Sequence, residues 1–275
     1  MKIGAGLIGC GSIGTVISRA IDEGKAGNIE LVAVYDLIQK HAEKLVQSLS
    51  RKPVIARSAD ELFENINIHL IIEAASQEAV KQYAFKAVEK GKDLMVLSTG
   101  ALLDDEFLAN LTDLLRRKGK RLFIPSGAIV GVDNVKSATI GRVHEVTLIT
   151  RKPPISFEGS AFIAKSKIDP SKIKEPIVLF DGSAREAVKL FPQNVNVSAT
   201  LSLAGIGPDR TRVKIITDPN IKEITHEVYV KGDFGEFWTK TVNKPFPSNP
   251  RTSYVAALSA IAALKRISEN IVVGT

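Results

Sequence analysis

The sequence predicts an α/β chain in two parts: a doubly wound parallel sheet, followed by a second, α+β domain with a mixed or antiparallel sheet. Three observations predict this. Up to about residue 125, short apolar runs alternate with helical patterns. From 126 to 248, strand patterns lie close together and helices are few. A final apolar stripe then follows Asn249-Pro250. The expected division is 1–125 together with a C-terminal helix 249–275, and 126–248.

In the first part the apolar runs are Ile3–Ile8, Leu31–Tyr35, Leu70–Ala74, Asp93–Leu97 and Arg121–Ile124. Between the first two, Ile13, Val16, Ile17, Ala20 and Ile21 recur at the spacing of one helix face. Similar stripes occupy 78–90 and 104–118. Continuous apolar strands joined by helices make a parallel sheet covered on both faces. In the second part the expected strands are Glu145–Thr150, Arg212–Thr217, Thr225–Lys231 and Gly235–Val242, with helices near 183–191 and 196–204. Gly232-Asp233-Phe234 separates the last two strands as a hairpin turn. Asn249-Pro250 is expected to open the last helix with proline in its first turn, and Val255, Leu258, Ile261 and Ala262 form its stripe. That helix is expected to pack back on the first domain.

With 44% hydrophobic and 24% charged residues in 275, the chain has the balance of a folded globular protein. Cys10 is the one cysteine, which excludes a disulfide framework and suits a reducing compartment, so a cytoplasmic setting is expected. His41, His69, His144 and His226 are scattered, so no metal site is expected. The net charge of +7 comes from Lys and Arg spread along the chain. Its one short run, Arg116-Arg117-Lys118, closes a helix where cations are favoured. Nucleic acid is therefore not an expected partner, whereas a mildly positive field suits an anionic substrate or a pyrophosphate. The apolar stretch before Cys10 is too short for an ordinary secretory leader, and no membrane-spanning run is expected.

Gly9-Cys10-Gly11-Ser12-Ile13-Gly14 fits G-x-G-x-x-G. Strand Ile3–Ile8 leads into it, a helix starting near Ser12 leads out, and Asp36 ends the second strand 22 residues after Gly14. Together these are the dinucleotide fingerprint of a Rossmann domain. Gly9 permits the tight turn, Gly11 lets the backbone approach a pyrophosphate, and Gly14 lets helix and strand pack closely. The helix start supplies N–H groups to the phosphates, and Asp36 would accept hydrogen bonds from the ribose hydroxyls. Leu37 and Ile38 offer no guanidinium for a 2′-phosphate, which favours NAD, while Lys40 keeps NADP open. A Rossmann-like turn that binds another nucleotide, or none, is the bland alternative.

Longer strings in the chain resemble the L-aspartate dehydrogenase family, which is similar in fold to dihydrodipicolinate reductase. They are Ser98-Thr99-Gly100-Ala101-Leu102, Pro125-Ser126-Gly127-Ala128-Ile129, Phe180-Asp181-Gly182-Ser183-Ala184-Arg185-Glu186-Ala187 and Pro192-Gln193-Asn194-Val195-Asn196-Val197. Ala199–Gly205, His226 and Asn249-Pro250-Arg251-Thr252-Ser253 continue the resemblance. It implies that His226, on a strand before Gly232-Asp233-Phe234-Gly235, is catalytic, and that Ala128 and Asn196 contact NAD. It also implies NAD-dependent oxidative deamination of L-aspartate to iminosuccinate, then oxaloacetate and ammonia, feeding NAD biosynthesis.

The residues alone leave His226 more open. On a strand it shares a face with Ile224, Val228 and Val230, so it could equally be a satisfied core histidine. Asn196 could cap the helix that Gly205 ends, and Ala128 could simply pack a turn. Arg151 and Lys152 are candidates for holding the substrate carboxylates, and a homodimer is the default assembly. The alternatives are a reductase of the dihydrodipicolinate type, against which the lack of a His-His pair counts, and a non-catalytic dinucleotide sensor.

Overall fold

Six apolar runs build the first sheet: β1 (Ile3–Ile8), β2 (Ile29–Tyr35), β3 (Val54–Ile55), β4 (Leu70–Glu73), β5 (Asp93–Val96) and β6 (Leu122–Phe123). This is a computed structural model, and it describes residues 2–158, 161–166, 168–191, 196–246 and 249–274. Two compact units result. One runs to Pro125 and takes in Ala257–Val273; the other is Ser126–Ala256.

In the first unit all five pairings are parallel and the strand order is β3-β2-β1-β4-β5-β6. That is the Rossmann order, with its switch point between β1 and β4. Helices α1 (Ser12–Asp22), α2 (Gln39–Gln47), α3 (Ala59–Glu64), α4 (Gln77–Glu89) and α5 (Asp105–Lys118) connect the strands. Caps set several boundaries. Ser58, Ser76 and Asp104 accept the N–H groups of Glu61, Ala79 and Phe107, and Gly119 ends α5 in a left-handed conformation with φ 62°. The short β3 and α3 carry too little apolar periodicity to be recognised in the sequence.

The second unit opens with α6 (Val132–Ala138) and β7 (Val143–Lys152), followed by α7 (Ala161–Ser166) and β8 (Ile177–Ser183). Helices α8 (Ala184–Leu190) and α9 (Asn196–Ala204) come next, then β9 (Arg212–Thr217), β10 (Ile224–Gly232) and β11 (Gly235–Asn243). The five strands lie in the order β11-β10-β7-β9-β8. The sheet is mixed because β7 and β9 pair in parallel while the other neighbours are antiparallel. β8 was not expected as a strand. Its exposed, partly polar residues hide it, and it is recruited by pairing with β9. Ser183 then caps α8 in a reciprocal box: its hydroxyl accepts the Glu186 N–H, and the Glu186 carboxylate accepts the Ser183 N–H at 2.9 Å. β10 and β11 turn over in two residues, since Gly232 pairs directly with Gly235.

The expected helix start at Asn249-Pro250 is corrected. Asn249–Ser253 is a strand, β13, paired with β12 (Pro245–Phe246), and the last helix, α10, begins at Tyr254 and runs to Ser268. A proline is tolerated in such a two-stranded ribbon because each strand has an edge with no ladder to donate to. Thr252 and Ser253 therefore close β13, with Ser253 directly before the first residue of α10.

Ala260 and Leu264 of α10 join Leu7, Ile17, Ile72 and Met95 in the core of the first unit. Asn28 ties this helix down by donating to the Ser268 carbonyl at 3.3 Å. Leu264 is fully buried, so Leu264→Ala should lower unfolding stability by about 2–5 kcal/mol. Urea unfolding followed by circular dichroism would measure this.

Candidate active site

The three glycines of the turn in the first unit have three different surroundings. Gly9 has φ 97°, and a Cβ there would stand 2.6 Å from the Ala74 carbonyl oxygen. A Cβ on Gly14 would collide with the Gly9 carbonyl, so helix and turn pack as closely as glycine allows. Gly11 is the opposite case: a Cβ there would have no neighbour within 4 Å. That position keeps clear the side from which a phosphate would approach the start of α1, where Ser12 and Ile13 form the first turn.

Asp36 directly follows the last residue of β2 and braces the glycine turn. One carboxylate oxygen accepts the Cys10 N–H at 2.7 Å and the other accepts the Ile38 N–H at 2.8 Å, fastening the glycine turn to the neighbouring strand. Cys10 itself is buried, and burial together with Asp36 pushes its thiol up to about 12, so it serves as packing and not as a nucleophile. Leu37 is 88% exposed, and Leu37, Ile38 and Lys40 all lie on the surface beside this end of the sheet.

Glu73, at the carboxyl end of β4, was not foreseen. Its buried carboxylate accepts the N–H groups of Ala75 and Ser98 and the Ser98 hydroxyl, at 2.8, 3.0 and 2.8 Å. Burial raises its pKa while these donors oppose the rise. It shapes the turn that begins the Ser98–Leu102 string. An acid closing the otherwise apolar run Leu70–Ile72 was the available signal.

In the second unit, one face of the five-stranded sheet is covered. Val146 and Leu148 of β7, Val213 and Ile215 of β9, and Val228 and Val230 of β10 are buried on it. Helix α9 lies on this side, where Gly205 approaches Val146 and Val135. Towards one end the same face turns polar. Strand register places Ile215, Thr150, His226 and Thr241 in one row across the four strands. Lys152 lies opposite Thr217 in the next row, and Asn243 follows Thr241 by two residues along β11.

His226 is 3% exposed, and its Nδ1 lies 3.0 Å from the Thr150 hydroxyl. Burial first, and then the charge of Lys152, pull its pKa down to about 3. Burial alone brings Lys152 down to about 7. The asymmetry is physical: His226 is already neutral when Lys152 titrates and exerts no return push. Arg151, one residue away, is on the other face with its guanidinium 3.1 Å from Asp218. The two cations that were equivalent in the sequence are thus separated, and only Lys152 shares a face with His226.

Ala128 is buried, and its carbonyl accepts from the Thr241 hydroxyl at 3.0 Å and the Asn243 amide at 3.1 Å. The loop bearing this residue is therefore pinned to the same polar end of the sheet. Asn196 is half-buried as the first residue of α9. The Pro192–Val195 part of its string lies outside the described residues. His41, His69 and His144 are all exposed; His144 faces Asp233 at 2.7 Å, and His41 stands 3.5 Å from Asp36.

Apart from Ala128, these two constellations fall within separate family matches. Residues 9–125 match the family described as homoserine dehydrogenase, NAD binding domain, and residues 133–267 match the family described as aspartate dehydrogenase, C-terminal. L-aspartate dehydrogenases of Methanosarcina acetivorans and Methanococcoides burtonii are each 45% identical over 98% of this chain and 98% of their own. The chain belongs to the L-aspartate dehydrogenase family. The solved aspartate dehydrogenase of Thermotoga maritima covers 100% of both chains at 26% identity with a TM-score of 0.75. The family resemblance carried by the short strings, the Rossmann half and the mixed second sheet all stand with these matches.

Two measurements test the site. Gly11→Ala should fold normally and lose roughly tenfold or more in NADH affinity, whereas Gly14→Ala should lose about 1–3 kcal/mol of stability through overpacking. Fluorescence titration and thermal melts separate the two.

Stability should also respond to pH in two windows. The unfolded chain binds more protons than the folded one between the depressed folded value and the ordinary value, and stability rises with pH wherever that holds. For His226 the window runs from about 3 to 6.5, and for Lys152 from about 7 to 10.5. Lys152→Met should flatten the upper window, as read by denaturant melts across pH.

Proposed function

We propose that the protein is an L-aspartate dehydrogenase, oxidising L-aspartate to iminosuccinate with NAD as acceptor, after which water releases oxaloacetate and ammonia. The observation that carries this reading is His226, a buried imidazole held by Thr150 at the polar end of a sheet, in a chain whose family is defined over its whole length. NAD, when bound, supplies a hydride acceptor at the nicotinamide C4. Gly9, Gly11 and Gly14 with the first turn of α1 would hold its pyrophosphate, Asp36 its ribose, and Ala128 and Asn196 the nicotinamide end. Asp36 keeps lone pairs for the ribose hydroxyls beyond the two backbone N–H groups it already accepts.

The amine of L-aspartate must lose a proton before its α-carbon can release hydride. Burial keeps His226 neutral, so its free Nε2 can take that proton provided Nδ1–H donates to the Thr150 hydroxyl. Thr150 thus fixes the ring orientation, and its hydroxyl can accept from Nδ1–H in the tautomer that leaves Nε2 basic. Burial holds the basicity of His226 down and the ammonium of Lys152 lowers it further; a bound dicarboxylate offsets the second of these. His226 can later return the proton as water adds to the imine.

NAD is favoured over NADP because the residues after Asp36 carry no guanidinium. The imine product would enter pyridine nucleotide biosynthesis, in the cytoplasm. A homodimer is the assembly we infer. The uncovered sheet face, with Trp238 63% exposed against Tyr229 and Val242 63% exposed across from Thr225, supports it.

Mixing protein, NAD and L-aspartate should produce NADH absorbance, with 2-hydroxy acids and other amino acids inert. His226→Ala should lower kcat by about 10²–10⁴-fold while NADH still binds. Unchanged turnover would remove His226 from the reaction.

A further inference from the structure

Thr217 ends β9 directly opposite Lys152 and is completely buried, yet among the described residues its hydroxyl has no hydrogen-bond partner. The neighbours along its own face do not share this condition: Val213 and Ile215 are apolar, and Thr150 across from Ile215 is engaged with His226. A buried hydroxyl without a partner forfeits free energy that water would supply in the unfolded chain; Ser18 shares this condition, but Thr217 alone of the two stands opposite a buried lysine. The side chain opposite it is a lysine that is 4% exposed. An ammonium offers donors and no acceptor, and burial penalises its charge, so the ligand that suits it is an anion. Threonine can donate one more hydrogen bond at strand spacing from it.

We infer that Lys152 and Thr217 form a carboxylate subsite for the substrate, with Lys152 supplying the charge and Thr217 a hydrogen bond to the second oxygen. The inference rests on the proposed dehydrogenase reading and extends it, since Thr217 had no assigned role and Arg151 is set aside. Several features agree with it. His226 lies one row along the same face, within electrostatic reach of Lys152, so a carboxylate held here would place the remainder of a four-carbon amino acid beside the imidazole. The titration of Lys152 near 7 makes the subsite responsive to its occupant: an anion restores the charged form. Arg151, turned to the opposite face and paired with Asp218, provides an internal control.

Among the described residues, His226 from β10 is the titratable group coupled to Lys152, while Thr217 and Ile215 of β9 are neutral. The pH dependence of substrate binding should therefore follow Lys152 itself. KM for L-aspartate should rise as Lys152 loses its proton above neutrality.

The experiment compares wild type with Thr217→Val, Thr217→Ser, Lys152→Met and Arg151→Met. Steady-state kinetics is combined with calorimetric titration by succinate, a four-carbon dicarboxylate without a reactive amine. Thr217→Val should raise KM for L-aspartate and Kd for succinate by roughly tenfold each, with KM for NAD unchanged. Lys152→Met should raise both by roughly a hundredfold. Thr217→Ser should restore wild-type values, and Arg151→Met should change them less than about threefold. Equal succinate affinity in wild type, Thr217→Val and Lys152→Met overturns the subsite. So does an Arg151→Met effect as large as that of Lys152→Met. If wild type forms no NADH from L-aspartate, the dehydrogenase reading fails on its own. The succinate titration still decides the subsite, because it needs no turnover. Should Thr217→Val not fold, Thr217→Ala, titrated with succinate beside Lys152→Met, carries the same decision, with the same roughly tenfold loss expected.

Discussion

The second unit is organised around the burial of a polar row on a face that is otherwise apolar. A sheet face covered by helices excludes water, and any polar side chain placed there must be satisfied from within or leave a cost. His226 meets this condition through Thr150, and Thr241 and Asn243 meet it by holding the Ala128 carbonyl. The same dryness that demands these bonds also sets the chemistry. It keeps the imidazole neutral and lowers the proton affinity of Lys152, so two groups of ordinarily different basicity are both displaced from water-like behaviour.

The first unit solves a different problem, that of holding backbone N–H groups ready for an anion without a ligand to organise them. Asp36 accepts the Cys10 N–H from inside the glycine turn, so the turn is braced by the same acid that the fingerprint assigns to the ribose. Glu73 performs a similar bracing task for the turn after β5. At the carboxyl ends of these strands, Asp36 and Glu73 orient loops whose glycines leave them few side chains of their own. Gly11 is left bare on the side where a phosphate would stand, while Gly9 and Gly14 are tightly enclosed. The three glycines thus have three distinct physical reasons within six residues.

Much of this was legible in the residues. The parallel order of the first sheet follows from apolar strands alternating with amphipathic helices, and the helix beginning at Ser12 follows from the stripe at Ile13, Val16 and Ile17. The strand Arg212–Thr217 and the helix Asn196–Ala204 fall where their patterns place them. Local pattern misled at Asn249-Pro250, because proline suits the first turn of a helix and the edge of a ribbon equally, and pairing with Pro245–Phe246 made the choice. β8 was concealed for a related reason: an exposed edge strand needs little hydrophobicity when a neighbour supplies the ladder.

From the sequence alone came the dinucleotide turn with Asp36 and the family, because both depend on residue types at short, ordered spacings, and the family resemblance in turn pointed to His226. Only the tertiary structure decided what surrounds that histidine. The parallel pairing of β7 with β9 and the antiparallel pairing of β7 with β10 bring together Thr150, Lys152, Thr217 and His226, residues up to 76 positions apart. The same pairing turned Lys152 inward and Arg151 outward, a distinction created by strand alternation and burial that adjacent basic residues in a sequence do not carry.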